Sequence, residues 1–251
     1  MAQIFSTHPL HPVVTATLMA AGDYRVASQP TASAILAEGL EAAVLIVRAH
    51  IPPEYFARAQ GLRAAVRHGA GLDMIPMEAA TGSGVLVANV PGANATTVAE
   101  HVIFTAIGLL RQFRAMDTAL RQTGWNAGRA YSDHGGDLAG RRLGLLGFGN
   151  IGSALHRIAQ GFGMQVAATT RRPETLPVGV EGLSLDDLAA TSDVLVLCCP
   201  LTADTRGAIS AARIASMKPG AVLINVARGP IVDTDALIAA LQSRQIGRAH
   251  V

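Results

Sequence analysis

The chain has 251 residues, of which half are hydrophobic and 15% are charged, and its formal net charge is +2. A chain of this length can bury a sizeable core, as one large domain or as two modest ones. The apolar content excludes a disordered or acidic-tail protein, and the weak, scattered charge predicts no nucleic-acid partner.

The cysteine content and the absence of long apolar runs indicate where the protein resides. Cys198 and Cys199 are adjacent, which suits neither a disulfide framework nor a metal site. We therefore expect no bound metal and a reduced, cytoplasmic protein. The N-terminal residues show no signal-peptide pattern, and no apolar run reaches the ~18 residues of a membrane span, so we expect no membrane association.

Short apolar runs alternate with helix-like stretches in the N-terminal part of the chain. Residues 42–49, 62–71 and 84–92 are rich in β-branched or apolar side chains and predict three buried strands. The third run is stopped by Pro91 and Gly92. Strands that alternate with helices favour a parallel α/β sheet.

A long helix and a polar connection follow these strands. Apolar residues recur every four positions from Val98 to Leu110, which predicts a buried helix over 96–113 with Thr96 or Thr97 as its N-cap. Residues 121–142 are rich in glycine and polar side chains and predict an extended arm. We place the domain change near residue 100, which gives domains 1–99 and 100–251.

The alternation of strands and helices is sharper after residue 142. Apolar runs at 142–149, 165–170, 193–200 and 221–229 predict four strands. Between them we expect an amphipathic helix that carries His156 on its solvent-facing side, and a short helix capped by Ser184. Asp233 is the expected N-cap of the last helix.

A glycine-rich turn joins the first of these strands to its helix. Gly147, Gly149 and Gly152 form the pattern G-x-G-x-x-G, in which the first glycine permits a tight turn and the second admits a pyrophosphate. The third glycine lets the helix pack close to the strand, and the helix N-terminus faces the phosphates. The strand–turn–helix context predicts dinucleotide binding, whereas the alternative is a merely structural turn.

The end of the next strand bears on the choice of cofactor. A carboxylate at this place would bond the ribose hydroxyls of NAD, but the chain has Thr169, Thr170, Arg171 and Arg172 there. Because a guanidinium binds a phosphate bidentately, we predict NADP as the preferred cofactor. NAD remains possible, with the two arginines as a solvated strand end.

Five motifs occur in an order that points to one family: "RHGAGLD" (67–73), "NVPGANATTVAEHV" (89–102), "LLGFGNIG" (145–152), "CPLTADTRGAIS" (199–210) and "INVARGPIVDTDAL" (224–237). Together they resemble the D-isomer-specific 2-hydroxyacid dehydrogenases, which include phosphoglycerate dehydrogenase and the glyoxylate and hydroxypyruvate reductases. The resemblance implies an α/β protein of two Rossmann-like domains with doubly wound parallel sheets. It also implies a flavodoxin-like substrate domain, an NAD(P)-binding domain and a homodimer formed through the latter.

The resemblance assigns roles to particular residues. Arg228 is the predicted catalytic residue, since its guanidinium would clamp and orient a 2-oxo acid, and Ala70 and Gly71 would offer backbone N–H groups to the substrate carboxylate. For Cys199 a buried core role is the alternative to a contact role. The residues implied in cofactor binding are Gly147, Gly149, Asn150, Ile151, Gly152, Thr170, Arg171, Arg172, Cys199, Pro200, Val226 and Ala227.

The family's proton-transfer pair, a Glu and a His, is expected beyond the residues present here. The resemblance therefore implies a C-terminally truncated chain that lacks the last cofactor-domain strand and the general acid and turns over little, if at all. We assign none of the eight histidines as catalytic, His250 included. Residues 246–251 depart from the family pattern and match a sequencing-adapter translation, so we expect them to be non-native.

The function that this reading predicts is hydride transfer between NAD(P)H and a small 2-oxo acid or D-2-hydroxy acid, of the glyoxylate or hydroxypyruvate kind. One alternative is a non-catalytic, cofactor-binding interaction protein or inactive fragment with the same fold. Another is a different enzyme with the same cofactor domain, such as a formate dehydrogenase.

Overall fold

The computed structural model describes residues 3–250, and the chain forms two compact units that divide after Ala93. The long helix predicted from the sequence lies wholly in the second unit. Which unit binds substrate and which binds cofactor stays a prediction. No helix among the described residues is both long and apolar enough to cross a membrane.

The first unit is a five-stranded parallel sheet with the strand order β2-β1-β3-β4-β5. This order is that of flavodoxin-like folds, as the family resemblance implied. Leu45, Val47 and Ala65 are fully buried in the centre of the sheet. The elements are β1 (Gln3–Ser6), α1 (Pro12–Ala21), β2 (Asp23–Val26), α2 (Ala32–Glu38), β3 (Val44–Val47), α3 (Glu54–Arg58), β4 (Ala64–Arg67), α4 (Met77–Gly82) and β5 (Leu86–Ala88).

The second unit is a six-stranded parallel sheet with the order β11-β10-β9-β6-β7-β8. Counted within the unit this is 3-2-1-4-5-6, the order of dinucleotide-binding folds, and it reverses between β6 and β9. Its elements are α5 (Ala95–Leu110), α6 (Phe113–Thr123), α7 (Trp125–Arg129), β6 (Arg142–Leu146), α8 (Asn150–Gly161), β7 (Gln165–Thr169), β8 (Val180–Gly182), α9 (Leu185–Thr191), β9 (Val194–Leu197), α10 (Ala211–Ser216), β10 (Val222–Asn225), α11 (Thr234–Gln242) and β11 (Arg248–His250). Short 3-10 helices cover Ala130–His134, Pro173–Thr175 and Gly229–Ile231.

Residues 248–250 form a short strand at the edge of this sheet, and the expectation that the domain is incomplete at its C-terminus stays a prediction. Residues 248–250 pair with β10, and Ile246 just before them is fully buried. A Cβ added to Gly247 would lie 2.5 Å from the Gly220 carbonyl oxygen, so this backbone approach needs glycine. The unpaired edge of β10 accepts any short extended segment that reaches it, since ladder pairing uses backbone groups.

Three further local expectations differ from the structure. Helix α5 begins at Ala95 with Asn94 as its N-cap, so Thr96 and Thr97 lie inside the first turn rather than at the cap. The predicted arm is largely helical, because α6, α7 and a 3-10 helix occupy most of residues 113–134. His156 is 8% exposed and therefore buried, not solvent-facing.

The capping predictions are confirmed, since Ser184 and Asp233 accept hydrogen bonds from Asp187 N and Ala236 N.

Asp193 fixes the amino ends of the central strands in the second unit. One carboxylate oxygen accepts a hydrogen bond from the Arg142 N–H at 2.7 Å, and the other lies 3.0 Å from Lys218 Nζ. Burial acts to raise the pKa of this carboxyl, but the bonds from Arg142 and Lys218 outweigh it, and the net pKa is lowered. The carboxylate is therefore more favourable in the folded than in the unfolded chain.

We expect Asp193→Asn to lower the free energy of unfolding by about 1–2 kcal/mol at pH 7, because two charge-assisted hydrogen bonds are lost. Because the pKa of Asp193 is lower in the folded chain, its carboxylate stabilises the fold at pH values above the unfolded-state pKa of about 3.9. This contribution is lost as the pH falls through the folded-state pKa. Urea unfolding at pH 7 and below pH 4 should therefore show a difference that shrinks in acid. Asp204→Asn, at an exposed carboxylate, is the control. Equal midpoints for Asp193→Asn and wild type at pH 7 would contradict this reading.

Candidate functional site

The three motif glycines of the second unit each meet a different steric requirement. Gly147 has φ +100°, and a Cβ there would lie 2.9 Å from the Cys199 backbone. A Cβ on Gly152 would lie 3.0 Å from the Gly147 carbonyl oxygen, whereas one on Gly149 would meet no atom within 4 Å. The close packing of the protein's own backbone therefore favours glycine at positions 147 and 152. Gly149 faces open space, which is what close approach of a phosphate would need.

Helix α8 begins directly at this turn. Gly149 is its N-cap, and no side chain caps the helix start. The first N–H groups of a helix have no intrahelical acceptor, and they carry the positive end of the helix dipole. Asn150 is exposed at this end, while Ile151 packs partly against the core. The turn therefore has the geometry of an anion site at a helix N-terminus.

The end of β7 carries cations and no carboxylate. Thr169 Oγ1 donates to the Leu183 carbonyl, which fixes the strand end. Arg171 and Arg172 are exposed, and the Arg172 N–H lies 3.4 Å from Thr170 Oγ1. Neither arginine forms a salt bridge among residues 3–250. Both guanidinium groups therefore remain available to an anionic ligand.

The two cysteines at the end of β9 pack against the glycine turn. The Cys198 thiol donates to the Gly147 carbonyl oxygen at 3.1 Å, and Cys199 is 9% exposed. Burial raises the pKa of Cys198 to about 12 and also raises the pKa of Cys199. Both thiols are therefore protonated at neutral pH and serve the packing of the turn. Pro200 lies just beyond, exposed, and its carbonyl accepts from Thr205 Oγ1.

Asn225 organises the end of β10, and the sequence analysis missed it. Its Oδ1 accepts from the Ala227 N–H at 2.9 Å, and its Nδ2 donates to the Arg228 carbonyl at 2.9 Å. Val226 extends the ladder, since its N–H donates to the Leu197 carbonyl. An asparagine that bonds the backbone two or three residues ahead stabilises a turn. The position of Asn225 at the strand end was a signal for this role.

Arg228 lies immediately after that turn, at the carboxyl end of β10. Its backbone is extended, its side chain is partly buried, and its Nη1 donates to the Ala227 carbonyl at 2.7 Å. In parallel α/β sheets, ligands bind outside the carboxyl ends of the strands. The glycine turn, Arg171 and Arg172, Pro200 and Arg228 all follow strands of this one sheet at that edge.

The predicted substrate loop of the first unit follows β4. Arg67 holds it from inside, since Nε donates to the Gly71 carbonyl and Nη1 to the Val47 and His68 carbonyls. Asn89 Nδ2 donates to the Ala70 carbonyl at 2.7 Å. These bonds all use carbonyl groups, and within the described residues the N–H groups of Ala70 and Gly71 donate no hydrogen bond. These two N–H groups are therefore not used by hydrogen bonds among residues 3–250, which an anion site would require.

The histidines stay without an assigned role in this site. Burial, with the positive charges of Arg48 and Arg67, lowers the pKa of His68, which is therefore neutral at pH 7. His101 Nε2 lies 3.2 Å from His250 Nε2, and both rings are exposed. Among residues 3–250, no three His, Cys, Asp or Glu side chains cluster as a metal site would require.

We expect both thiols to react with iodoacetamide at pH 7.5 at least about a hundredfold more slowly than in the unfolded chain. The raised pKa values leave almost no thiolate, and the thiolate is the nucleophile. Mass spectrometry of quenched samples gives the rates, and labelling in guanidinium chloride is the control. Rapid modification of folded protein would show that the Cys198–Gly147 contact does not protect the turn.

Several known proteins are similar to this chain. Residues 103–251 match the family model "D-isomer specific 2-hydroxyacid dehydrogenase, NAD binding domain". A glyoxylate reductase of Thermococcus onnurineus is 36% identical over 218 residues, which are 84% of this chain and 65% of that protein. A D-3-phosphoglycerate dehydrogenase of Mycobacterium bovis is 34% identical over 247 residues, 96% of this chain and 46% of that protein.

A solved structure with a similar fold is the NADPH-dependent glyoxylate/hydroxypyruvate reductase of Sinorhizobium meliloti in complex with NADP and malonate. The TM-score is 0.86 at 29% identity, over 99% of this chain and 78% of that one. The chain spans roughly half to two thirds of the length of the curated relatives that it matches. The matched residues contain the glycine turn and the strand ends described above, and the chain belongs to the D-isomer-specific 2-hydroxyacid dehydrogenase family.

Proposed function

We propose that this chain binds NADP(H) in preference to NAD(H) and serves hydride transfer between that cofactor and a small 2-oxo acid or D-2-hydroxy acid. The observation that carries the proposal is the position of Arg228. It follows β10 at the same sheet edge as the glycine turn, and Asn225 fixes the backbone around it. A bound nicotinamide would supply or accept the hydride.

The chain's own residues have separate tasks in this proposal. The N-terminus of α8 binds the pyrophosphate, with Gly149 giving room for it. Val226 and Ala227 flank the nicotinamide, as the family resemblance implies. The Arg228 guanidinium binds the carboxylate and carbonyl oxygens of the acid and orients it for hydride attack. This second unit is the proposed cofactor-binding domain.

The first unit is the proposed substrate domain. The N–H groups of Ala70 and Gly71 suit a carboxylate, because backbone N–H groups that converge in a glycine loop bind anions. Arg67 and Asn89 hold the loop through its carbonyl groups. Glyoxylate and hydroxypyruvate are the proposed acids, in line with the names of the reductases that the chain resembles.

The residues that would transfer a proton to the substrate determine how fast this chain can turn over. Residues 229–250 contain no glutamate, and their one histidine is His250. The family's Glu and His are therefore not among the described residues that follow Arg228. General acid catalysis is worth about 10²–10⁴-fold, so we propose that the chain alone binds cofactor and acid with little turnover. An interaction protein that binds only cofactor is the second candidate.

A homodimer through the second unit is part of the proposal. Its first helices expose an apolar surface, with Phe104, Phe113 and Trp125 being 65%, 49% and 71% exposed. A groove of about 650 Å³ lies beside Phe104 and Phe113 and is lined by further apolar side chains, among them Ile107 and Phe162. Exposed apolar patches of this kind mark interaction sites. A second copy is the occupant that the family resemblance implies.

The catalytic assignment is tested by titrating oxalate, an unreactive 2-oxo acid analogue, into protein saturated with NADPH. We expect Arg228→Gln to weaken oxalate binding by about 100-fold, because two charge-assisted hydrogen bonds are lost, with NADPH affinity nearly unchanged. Arg206→Gln, at an exposed arginine, is the control. Equal oxalate affinity in Arg228→Gln would overturn the assignment, and wild type that binds NADPH but no oxalate would favour the interaction protein.

The dimer is tested by light scattering coupled to size exclusion. We expect wild type to elute as a dimer and the double variant Phe104→Glu, Trp125→Glu as a monomer, since buried charges oppose association. Val178→Glu, at a residue that is 98% exposed and outside this surface, should remain dimeric. A monomeric wild type at ~50 μM would contradict the proposed dimer.

A further inference from the structure

A cavity of about 590 Å³ in the second unit takes no part in the proposed function. It is lined by residues from the end of α5, from α6, from the 3-10 helix after α7 and from β11. Small-molecule sites have volumes of about 300–1,000 Å³, so the cavity has room for a metabolite. Its lining residue Arg248 begins β11 and pairs with Val222 at the amino end of β10. The cavity therefore reaches the amino edge of the sheet, whereas the glycine turn and Arg228 follow carboxyl ends of strands.

This cavity and the apolar surface of the proposed dimer use different faces of α6. Phe113 lines the groove beside that surface, whereas Ala115 and Thr118 line this cavity. At 3.6 residues per turn, positions 115 and 118 lie on the side of the helix away from position 113. Gly108 and Tyr131 line both. Because Ala115 and Thr118 are small, they leave room for a ligand beside the helix.

Two arginines and no carboxylate line the cavity. Arg114 of α6 is exposed, and Arg248 of β11 is partly buried. Among residues 3–250 neither guanidinium has a salt bridge or a side-chain hydrogen bond. Asp117, the acid nearest to Arg114 in sequence, accepts hydrogen bonds from Arg121 instead. Since an anion stabilises a guanidinium that is partly removed from water, the lining of the cavity favours an anionic ligand.

Uncharged polar side chains in the cavity wall add hydrogen-bonding groups. Those of Gln112, Gln122 and Tyr131 have no hydrogen-bond partner among the described residues. Gln112 also has a left-handed backbone, with φ +51°, where α5 gives way to α6. Glycine or asparagine usually takes that conformation at a helix end, and glutamine adopts it at a cost in free energy. A glutamine at this place points to a use for its side chain.

We propose that this cavity is a second ligand site, which binds a small organic polyanion through Arg114 on α6 and Arg248 on β11. The ligand is a molecule with at least two carboxylate or phosphate groups. Each guanidinium can bind one such group bidentately, so two groups engage both arginines. The side chains of Gln112, Gln122 and Tyr131 bond the remaining oxygens.

The site is independent of the proposed function, since it uses neither the glycine turn nor the arginines at positions 171, 172 and 228. Arg248 lies in the segment 246–251, which departs from the family pattern and is expected to be non-native. The site is therefore a property of this chain that the family resemblance does not imply.

The test is a calorimetric titration of citrate, and in a second series of inorganic diphosphate, into the whole chain at constant ionic strength. We expect at least one of them to bind with a Kd below about 1 mM. Arg114→Gln and Arg248→Gln should each weaken that binding by about tenfold or more, because one bidentate, charge-assisted contact is lost. Arg248→Lys, which keeps the charge, should recover part of the loss. Tighter binding of citrate supports a polycarboxylate ligand, and tighter binding of diphosphate supports a phosphate ester.

The controls locate the bound anion. Arg121→Gln removes an exposed arginine of the same helix that does not line the cavity, and it should leave the affinity within twofold. Arg228→Gln should do the same, which separates this site from the proposed substrate site, and circular dichroism should show that each variant is folded.

The inference is wrong if neither probe binds at about 10 mM, or if Arg114→Gln or Arg248→Gln binds like wild type. It is also wrong if Arg121→Gln or Arg228→Gln loses as much affinity as Arg114→Gln. Each of these results leaves cofactor binding at the glycine turn standing.

Discussion

The close approach of β6 and β9 at their carboxyl ends is the constraint on which the rest of the second unit depends. Gly147 turns there with positive φ, and any Cβ would collide with the Cys199 backbone. The Cys198 thiol closes the contact by donating to Gly147 O. Because the two strands meet so tightly, α8 starts at the switch point of the sheet with its free N–H groups facing outward. A residue larger than glycine at position 147 would move the start of α8 and with it the anion site.

Polar side chains that bond the backbone shape both strand ends where an acid would be held. In the second unit Asn225 fixes the turn before Arg228, and in the first unit Arg67 and Asn89 fix the loop at Ala70 and Gly71. Arg67 and Asn89 bond carbonyl groups of their loop, whereas Asn225 bonds both the Ala227 N–H and the Arg228 carbonyl. Rigid support of this kind preorganises the groups that would contact a reacting acid.

Much of this organisation could be predicted from the sequence. Periodic apolar runs and capping residues such as Ser184 and Asp233 located most helices and strands after residue 142, and the glycine spacing located the turn. The features that the sequence did not predict have physical causes. The β8 and β11 strands are three residues each, too short to show a period, and they form because a sheet edge offers them backbone partners. His156 looked solvent-facing on its helix, but the segment around Gly179 folds over it, a tertiary contact that periodicity cannot show.

The central claim is that the glycine turn and the N-terminus of α8 bind the cofactor's phosphates. The most direct measurement is a ¹⁵N–¹H correlation spectrum of the whole chain recorded while NADPH is added. The account predicts large, saturable shifts of the backbone amides from Phe148 to Ser153, with the amides of β2 in the other unit unmoved. Saturable NADPH binding that leaves the amides of Phe148 to Ser153 unchanged would contradict it.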